Sequence, residues 1–474
     1  MAEFTLDRAI SSIRGAFHLD VGIWPPPVLR ETWEELDLFI AFRESDEGAL
    51  RQYAAMRAAQ RYLISPVPRM ISRASANLLY GEPAEIRPAD DADADRIEFL
   101  CGENELDTET HRAAVIASSE GEVWGRILVR PDLLDAPIIE FVSRRRTIPF
   151  FSGRFVVGVS FLTEWIEDTN VVFRLIETYL AGAVVATVYR GTHSSIGIEV
   201  DLDSYSRTRG MAPVVYTGFD RPLVAFIPNS IDADPTRGYS DYLGLEERFL
   251  AVNRATTIGD TNTELVGKRR ALLDGRYVKP GGRVEIGGDD VFIRDADERP
   301  LGDGAKPMEI LEYGYDAEQI VTWLDHLIDS TLSFGGAAPQ LVGRTQDGEA
   351  ISGTALRFKM MHSLLEASGK GRYADRGLRQ LVRMAAVIDS RPIAQGGFGR
   401  SWTDPDADPA IVRQDGLPTD PVEQATWLQT LVGAEAISVE ERVRFLHPDW
   451  NEEQQAEEIA RVKAEQQAPI ALPR

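Results

Sequence analysis

The sequence predicts an α+β fold, and three features predict it. Between Glu122 and about Tyr189 runs of alternating, β-branched and aromatic residues follow one another: VWGRILV, IIEFVS, RFVVGVSFLTEWI, VVFRLIETYL and AVVATVYR. Segments of helical period lie on both sides of that block. Two of them bracket a short turn-rich stretch, residues 266–314, so the chain reads as helix, small β insertion, returning helix.

Composition sets the outer limits. At 474 residues the chain is long enough for a large core and for more than one domain. A hydrophobic content of 43% with 27% charged residues belongs to the globular class. No apolar run reaches the roughly eighteen residues that a membrane span needs, and MAEFTLDRAISSIRGAF lacks the basic start and apolar core of a signal peptide. Cys101 is the single cysteine, so no intrachain disulfide is expected and a cytosolic history is. The net charge of -24 argues against wrapping nucleic acid by phosphate neutralisation. An acidic wall with few positive charges would hold a polyanion loosely and so suits a conduit, although charge alone says no more than solubility.

In chain order, residues 1–47 read as irregular, because Pro25, Pro26 and Pro27 disfavour a regular helix. Helices are expected over about 48–63 and 67–80. The second starts after Pro66 and stops at Gly81, with Met70, Ala74, Asn77 and Leu78 on one core face. Segment 84–110 is acidic (Asp90, Asp91, Asp93, Asp95) and lacks the glycine and closing glutamate of a calcium loop. It reads as a solvated helix start. The strand block follows, with turns at Ser152–Gly153, Asp168–Asn170 and Ala181–Gly182 and a basic turn Arg144, Arg145, Arg146. PLVAFIPN is a further strand. Gly238 to about Lys268 reads as one long helix with Ser240 as N-cap and Leu245, Phe249, Val252 and Leu265 apolar. Gly259 weakens its middle. KPGGRVEIGGDDVFIR and PMEILEYG give short strands. Tyr315 to Leu332 is helical again, with Ile320, Trp323, Leu324, Leu327 and Ile328 apolar.

A glycine-rich loop, 335–352, leads into a long helix capped by Ser352, with Leu356, Met360, Leu364 and Ala367 at helical spacing. Further along it Arg372, Arg376, Arg379 and Arg383 fall at i, i+4, i+7 and i+11, a basic stripe on one face. Residues 390–420, including GGFGRSWTDPDADP, read as a linker. The tail holds three helices, about 421–431, 438–446 and 451–467. His447–Pro448 separates the last two, and the final one is polar nearly all round.

No motif of catalysis emerges. Gly343 to Gly348 has P-loop spacing, but Glu349 stands where the phosphate-binding Lys belongs and would repel a triphosphate. His18, His111, His193, His326, His362 and His447 are scattered without metal-ligand spacing. His326 beside Asp325 and Asp329 reads as structural. There is no nucleophile elbow, and GGFGR lies among turns. The expectation is a non-enzymatic protein with no cofactor and no metal.

The loop-then-helix GRTQDGEAISGTALR, the following RYADRGLRQL, and the segments FDRPLVAFIPN and YSDYLGLEERFLAVNRA resemble the portal proteins of tailed double-stranded DNA bacteriophages, of the siphophage type. The resemblance covers most of the chain past Arg69. It implies a wing (1–238), a stem helix (239–265), a small α/β clip (266–314), a second stem helix (315–334), a tunnel loop (335–352), a long wing helix with its return (353–420) and a helical crown (421–474). It further implies a ring of about twelve subunits at one capsid vertex. Double-stranded DNA would be packaged and ejected through its axis without sequence readout. Terminase and head–tail connector proteins would dock at the clip, and capsid and scaffold proteins around the wing. The ring would be assembled in the host cytoplasm and end in the virion. The tunnel-loop candidates facing DNA are Gln340, Gly343, Arg344, Thr345, Gln346, Asp347, Gly348 and Glu349. Arg344 is the loop's one cation and is placed for transient phosphate contact. Arg372, Arg376, Arg379 and Arg383 are candidates for the subunit interface. The clip, with few large apolar residues, should complete its burial against neighbours. The alternative is another virion ring protein, such as a head–tail adaptor or baseplate component, and a third class is an acidic enzyme of unrecognised site.

Overall fold

The computed structural model describes residues 22–54, 61–168, 170–267, 270–274, 290–294, 308–311, 317–344, 353–413, 421–434, 436–447, 450 and 452–467. The described chain is α+β and divides into two units, 1–346 with 360–416, and 347–359 with 417–474.

The first unit begins with helices α1 (Pro27–Glu44), α2 (Glu47–Tyr53) and α3 (Val67–Tyr80), strand β1 (Glu85–Arg87), and helices α4 (Ala94–Glu103) and α5 (Leu106–Glu120). Strands β2 (Glu122–Leu128), β3 (Ile138–Ser143), β4 (Thr147–Ser152), β5 (Phe155–Asp168), β6 (Val171–Leu180), β7 (Ala183–Thr192), β8 (Ser195–Val200), β9 (Val214–Tyr216) and β10 (Val224–Pro228) follow. Helix α6 (Glu246–Gly267), strands β11 (Arg270–Asp274), β12 (Asp290–Arg294) and β13 (Met308–Leu311), and helix α7 (Ala317–Phe334) come next. Helix α8 (Gly353–Lys359) belongs to the second unit, while α9 (Met361–Ser390) and β14 (Ala410–Val412) complete the first. Helices α10 (Pro421–Gly433), α11 (Val439–Leu446) and α12 (Glu452–Gln467) complete the second.

Strands β4 to β8 form an antiparallel sheet in sequence order, with β9 added to the start of β7. The period of two sorts its faces. Leu162 pairs with Ile176, and both meet Trp24, Trp33 and Leu36 of the N-terminal segment. Val159 pairs with Tyr179 on the opposite face and joins the main core. That core lies on the β10–β2–β3 sheet. Helix α9 comes so close to this sheet that a Cβ on Gly125 would collide with Leu381, and one on Gly377 with Ile227. Small residues here let Leu378, Leu381, Val382 and Ala385 fill the space above Trp124 and Ile227. The β11–β13 sheet pairs β11 with β12 in parallel and with β13 antiparallel, so the first two strands are not a tight hairpin. KPGGRVEIGG lies outside the described residues.

Several expectations need correction. Proline does not prevent helix α1, because Pro27 sits in its first turn, where the missing N–H has no intrahelical partner to lose. The helix placed over 48–63 is described only as α2, over Glu47–Tyr53. On α3 the buried residues include Ile71, Ala74 and Leu78, while Asn77 is exposed and meets His111 at 2.8 Å. Helix α6 starts at Glu246, not Gly238. Ser240 accepts from the Tyr242 N–H at 3.0 Å in the preceding turn and donates to the Ser119 carbonyl at 2.6 Å. The helix from Ser352 is two helices, broken at Met360, and Ser352 itself lies outside the described residues. The basic turn is not merely solvated. Arg145 bonds Asp37 at 2.7 Å and lies 4.1 Å over the Trp33 ring, and Arg146 donates to the Leu162 carbonyl at 3.1 Å. In the acidic segment Asp93 is buried and accepts from the N–H groups of Thr403 and Asp404 at 2.8 and 3.2 Å. Residues 391–413 are correspondingly no loose linker: Phe398 is buried, Trp402 donates to Asp389 at 2.9 Å, and β14 pairs with β1.

In the second unit Trp427 of α10 meets Phe445 of α11 at 5.2 Å, and Lys463 of α12 pairs with Glu440 of α11. The polar final helix is also held by Gln455, whose side-chain amide donates to the His447 and Trp450 carbonyls at 3.1 and 3.0 Å.

Leu381→Ala should lower stability by about 2–5 kcal/mol, because the fully buried side chain leaves a cavity against Gly125. Urea unfolding followed by tryptophan fluorescence, with Trp124 in the same core, would register it.

Candidate functional site

Helices α6 and α7 form an antiparallel hairpin: Arg248, near the start of α6, reaches Ser330 at 3.4 Å and stacks 4.4 Å over Phe334 at the end of α7. The base is a true core, where Phe249, Val252 and Leu332 pack with Phe42, Leu50, Ile71 and Tyr242. The chain over 61–65 runs along α6. The N–H groups of Leu63 and Ser65 donate to Thr257 and Asn253 at 2.9 and 2.8 Å. Beyond this base the hairpin loses its cover. From 258 to 264 and from 318 to 330 no described residue is buried. Ile258, Val321 and Trp323 are 55%, 57% and 52% exposed. These three apolar side chains stand exposed along the hairpin in the single chain.

A buried polar node holds the hairpin's root. Asp241, in the turn before α6, accepts from Lys370 Nζ of α9 at 2.6 Å, Ser118 Oγ of α5 at 2.7 Å and Asn229 Nδ2 at 2.8 Å. Lys370 also donates to Ser75 of α3 at 2.9 Å. Next to them the Tyr242 hydroxyl donates to the Pro68 carbonyl at 2.7 Å and lies 2.6 Å from Ser72 Oγ. Burial pushes the Tyr242 phenol up, so it remains a donor. One carboxylate therefore ties α5, α9, the end of β10 and the root of α6 together, and Lys370 extends the tie to α3. The sequence reading missed Asp241 and Lys370. Each is a single charged residue inside an otherwise ordinary segment, and no spacing links positions so far apart.

The loop after α7 is folded over its first half. Gly335 lies on Ile71, Ala337 and Ala338 are buried, and the Ala338 N–H donates to Ser363 of α9 at 2.9 Å. A short 3-10 turn, Pro339–Val342, includes the half-buried Gln340 and ends at Gly343, whose φ of 76° suits glycine. Arg344 then bonds Asp325 at 2.7 Å and Asp329 at 2.6 Å, two carboxylates one turn apart on α7. Their hydrogen bonds push the guanidinium's affinity for its proton further up, so Arg344 stays charged. Thr345, Gln346, Asp347, Gly348 and Glu349 lie outside the described residues. Of the arginine stripe, Arg379 donates to the Pro409 carbonyl at 3.1 Å and Arg383 pairs with Asp408 at 3.0 Å. Arg372 and Arg376 are exposed and have no ion-pair partner among the described residues. In the second unit Leu356 is half-buried, while Met360, at the start of the α9 side, is buried.

Among the described residues no group of histidine, cysteine and carboxylate side chains is placed to hold a metal ion. His326 is exposed. Burial, with Asp107 nearby, pushes the Cys101 thiol up to about 12, away from nucleophilic reactivity. No described helix is long and apolar enough to cross a membrane. No protein-family model matches the chain, and no curated protein matches it.

Lys370→Met should cost about 3–5 kcal/mol, since it leaves a buried carboxylate without its counter-ion. Adding Asp241→Leu should recover part of the loss, which denaturant titration of both variants would reveal. Asp325→Asn with Asp329→Asn should release Arg344 and make tryptic cleavage after it severalfold faster, read by mass spectrometry of a limited digest.

Proposed function

We propose that the chain is a portal-type ring subunit of a tailed bacteriophage, through whose axis double-stranded DNA is packaged and ejected. The observation that carries the reading is the α6–α7 hairpin. It is rooted in a core, joined at its far end by a three-stranded sheet, and followed by a loop and a long helix, and its outer half leaves Ile258, Val321 and Trp323 uncovered in a single copy. A circular array of about twelve copies covers such side chains hairpin against hairpin. The sequence resemblance supplies the rest of the proposal: the β11–β13 region for terminase and connector docking, the larger α+β body for capsid and scaffold contacts, and the portal vertex as the site of residence.

Within this reading the loop beginning at Gly335 faces the channel. Arg344 is its anchor rather than its phosphate contact, because Asp325 and Asp329 already neutralise the guanidinium. Passing DNA then meets little free positive charge and is not retained by counter-ion release. Arg379 and Arg383 are engaged within the chain, which leaves Arg372 and Arg376 for a neighbouring subunit.

Light scattering and negative-stain microscopy test the proposal. The native chain should form rings with a central channel. Val321→Asp combined with Trp323→Asp should keep the far-ultraviolet spectrum of the native chain and stay at single-chain mass. A native chain that remains monomeric at every concentration, or a variant that assembles normally, would refute the reading. The isolated protein should also show no ATP hydrolysis.

A further inference from the structure

Strand β1 and the corner between α4 and α5 enclose a groove of about 830 Å³. Its floor is apolar, with Ile97, Leu106, Leu378 and the half-buried Cys101. Its rim is acidic. Asp91, Glu98, Glu105 and Asp107 are all exposed, and none has an ion-pair partner among the described residues. The one arginine lining it, Arg87, is already held by Glu85 at 2.6 and 2.7 Å. The groove therefore offers unspent negative charge along the edge of a narrow apolar strip, whose floor residues Ile97, Leu106 and Leu378 are no more than 5% exposed.

The same chain carries the complement. On α9, Met361 and Leu365 are 47% and 67% exposed, and Arg372 and Arg376 follow along the same face. This stripe is apolar first and cationic second. From Met361 to Arg376 it runs roughly 22 Å, somewhat longer than α4, the ten-residue wall of the groove, at roughly 15 Å.

We propose that the α9 stripe of one copy docks in the β1–α4–α5 groove of a second copy. Leu365 and Met361 meet the floor at Ile97 and Leu106, and Arg372 and Arg376 meet the rim at Glu98 and Glu105. The two patches differ, so each copy gives one and receives the other. Such a head-to-tail contact closes into a ring when its rotation permits. The inference rests on the self-association in the ring reading, but it assigns a specific pair of surfaces distinct from the exposed hairpin. A basic segment of another protein would satisfy the rim alone. The second copy is favoured because one face of its α9 carries both exposed apolar groups and two exposed arginines, complementary in charge to the rim.

Charge exchange in the full-length chain tests it, read as the concentration of half-assembly by sedimentation velocity. Glu98→Arg with Glu105→Arg should raise that concentration about tenfold or more, and so should Arg372→Glu with Arg376→Glu. All four changes together should restore it to within about threefold of the native value, since complementarity is re-formed with the signs exchanged. The four positions are exposed, so an unchanged melting temperature should accompany each result. If each pair weakens assembly but the combination does not rescue it, or if neither pair matters, the docking is wrong while native rings still uphold the ring reading. Rescue in assemblies that are not rings would keep the docking and overturn the ring. A native chain that never associates overturns both.

Discussion

Two glycine backbones meet where α5 turns into β2 and where the chain leaves β10 for α6. Gly121 ends α5 at a φ of 88°, and a Cβ on it would lie 2.6 Å from the Gly238 carbonyl oxygen. The Glu122 carboxylate accepts from the Gly238 N–H at 2.8 Å, and the Asn229 N–H donates to the Gly121 carbonyl at 2.8 Å. This contact sets the position of residues 239–242, and with it the point at which Asp241 reaches Lys370 and Tyr242 reaches Pro68. The hairpin's direction of exit, its packing on α3 and its link to α9 all follow from it. A side chain on either glycine would push the root of the hairpin away from the sheet.

Much of the architecture was legible in the sequence because it is local. The strand block showed its period of two, and its turns fall at Gly153 and Gly182, both at positive φ. The helices flanking the small sheet showed their period. What was not legible was decided by partners distant in sequence. The segment before Glu246 has a helix-like composition, but Ser240 and Asp241 are recruited by Ser118, Ser119 and Lys370, which hold a turn instead. The glycine- and proline-rich stretch after α9 looked like a linker because its order comes from Asp93, Asp389 and β1, none of them nearby in the chain. Tertiary contacts override local preference in both places.

The candidate site divides the same way. The loop's only cation suggests contact with a passing phosphate. In the sequence Asp325 and Asp329 stand on either side of His326 on a helical segment. Their spacing of one helical turn is what makes a fork for Arg344, and the loop's return onto α7 could not be read from the residues themselves. The arginine stripe likewise looked uniform in spacing. The folded chain divides it into two residues held by 408–409 and two left exposed.

The pairing of α9 with the first sheet has a consequence for how the chain is made. Arg96 and Asp389, joined at 2.5 Å, are 293 residues apart. At ordinary rates of synthesis a ribosome needs roughly 15–60 s to cover that interval. That interval separates α4 from its partner on α9; the sheet face carrying Trp124 and Ile227, complete only at Ile227, waits about half as long, roughly 8–30 s, for Leu378 and Leu381, while β1 waits for β14. The nascent polypeptide thus leaves an apolar face uncovered until the residues of α9 appear. A truncated polypeptide ending before α9 lacks this cover altogether and exposes apolar surface that the full chain buries.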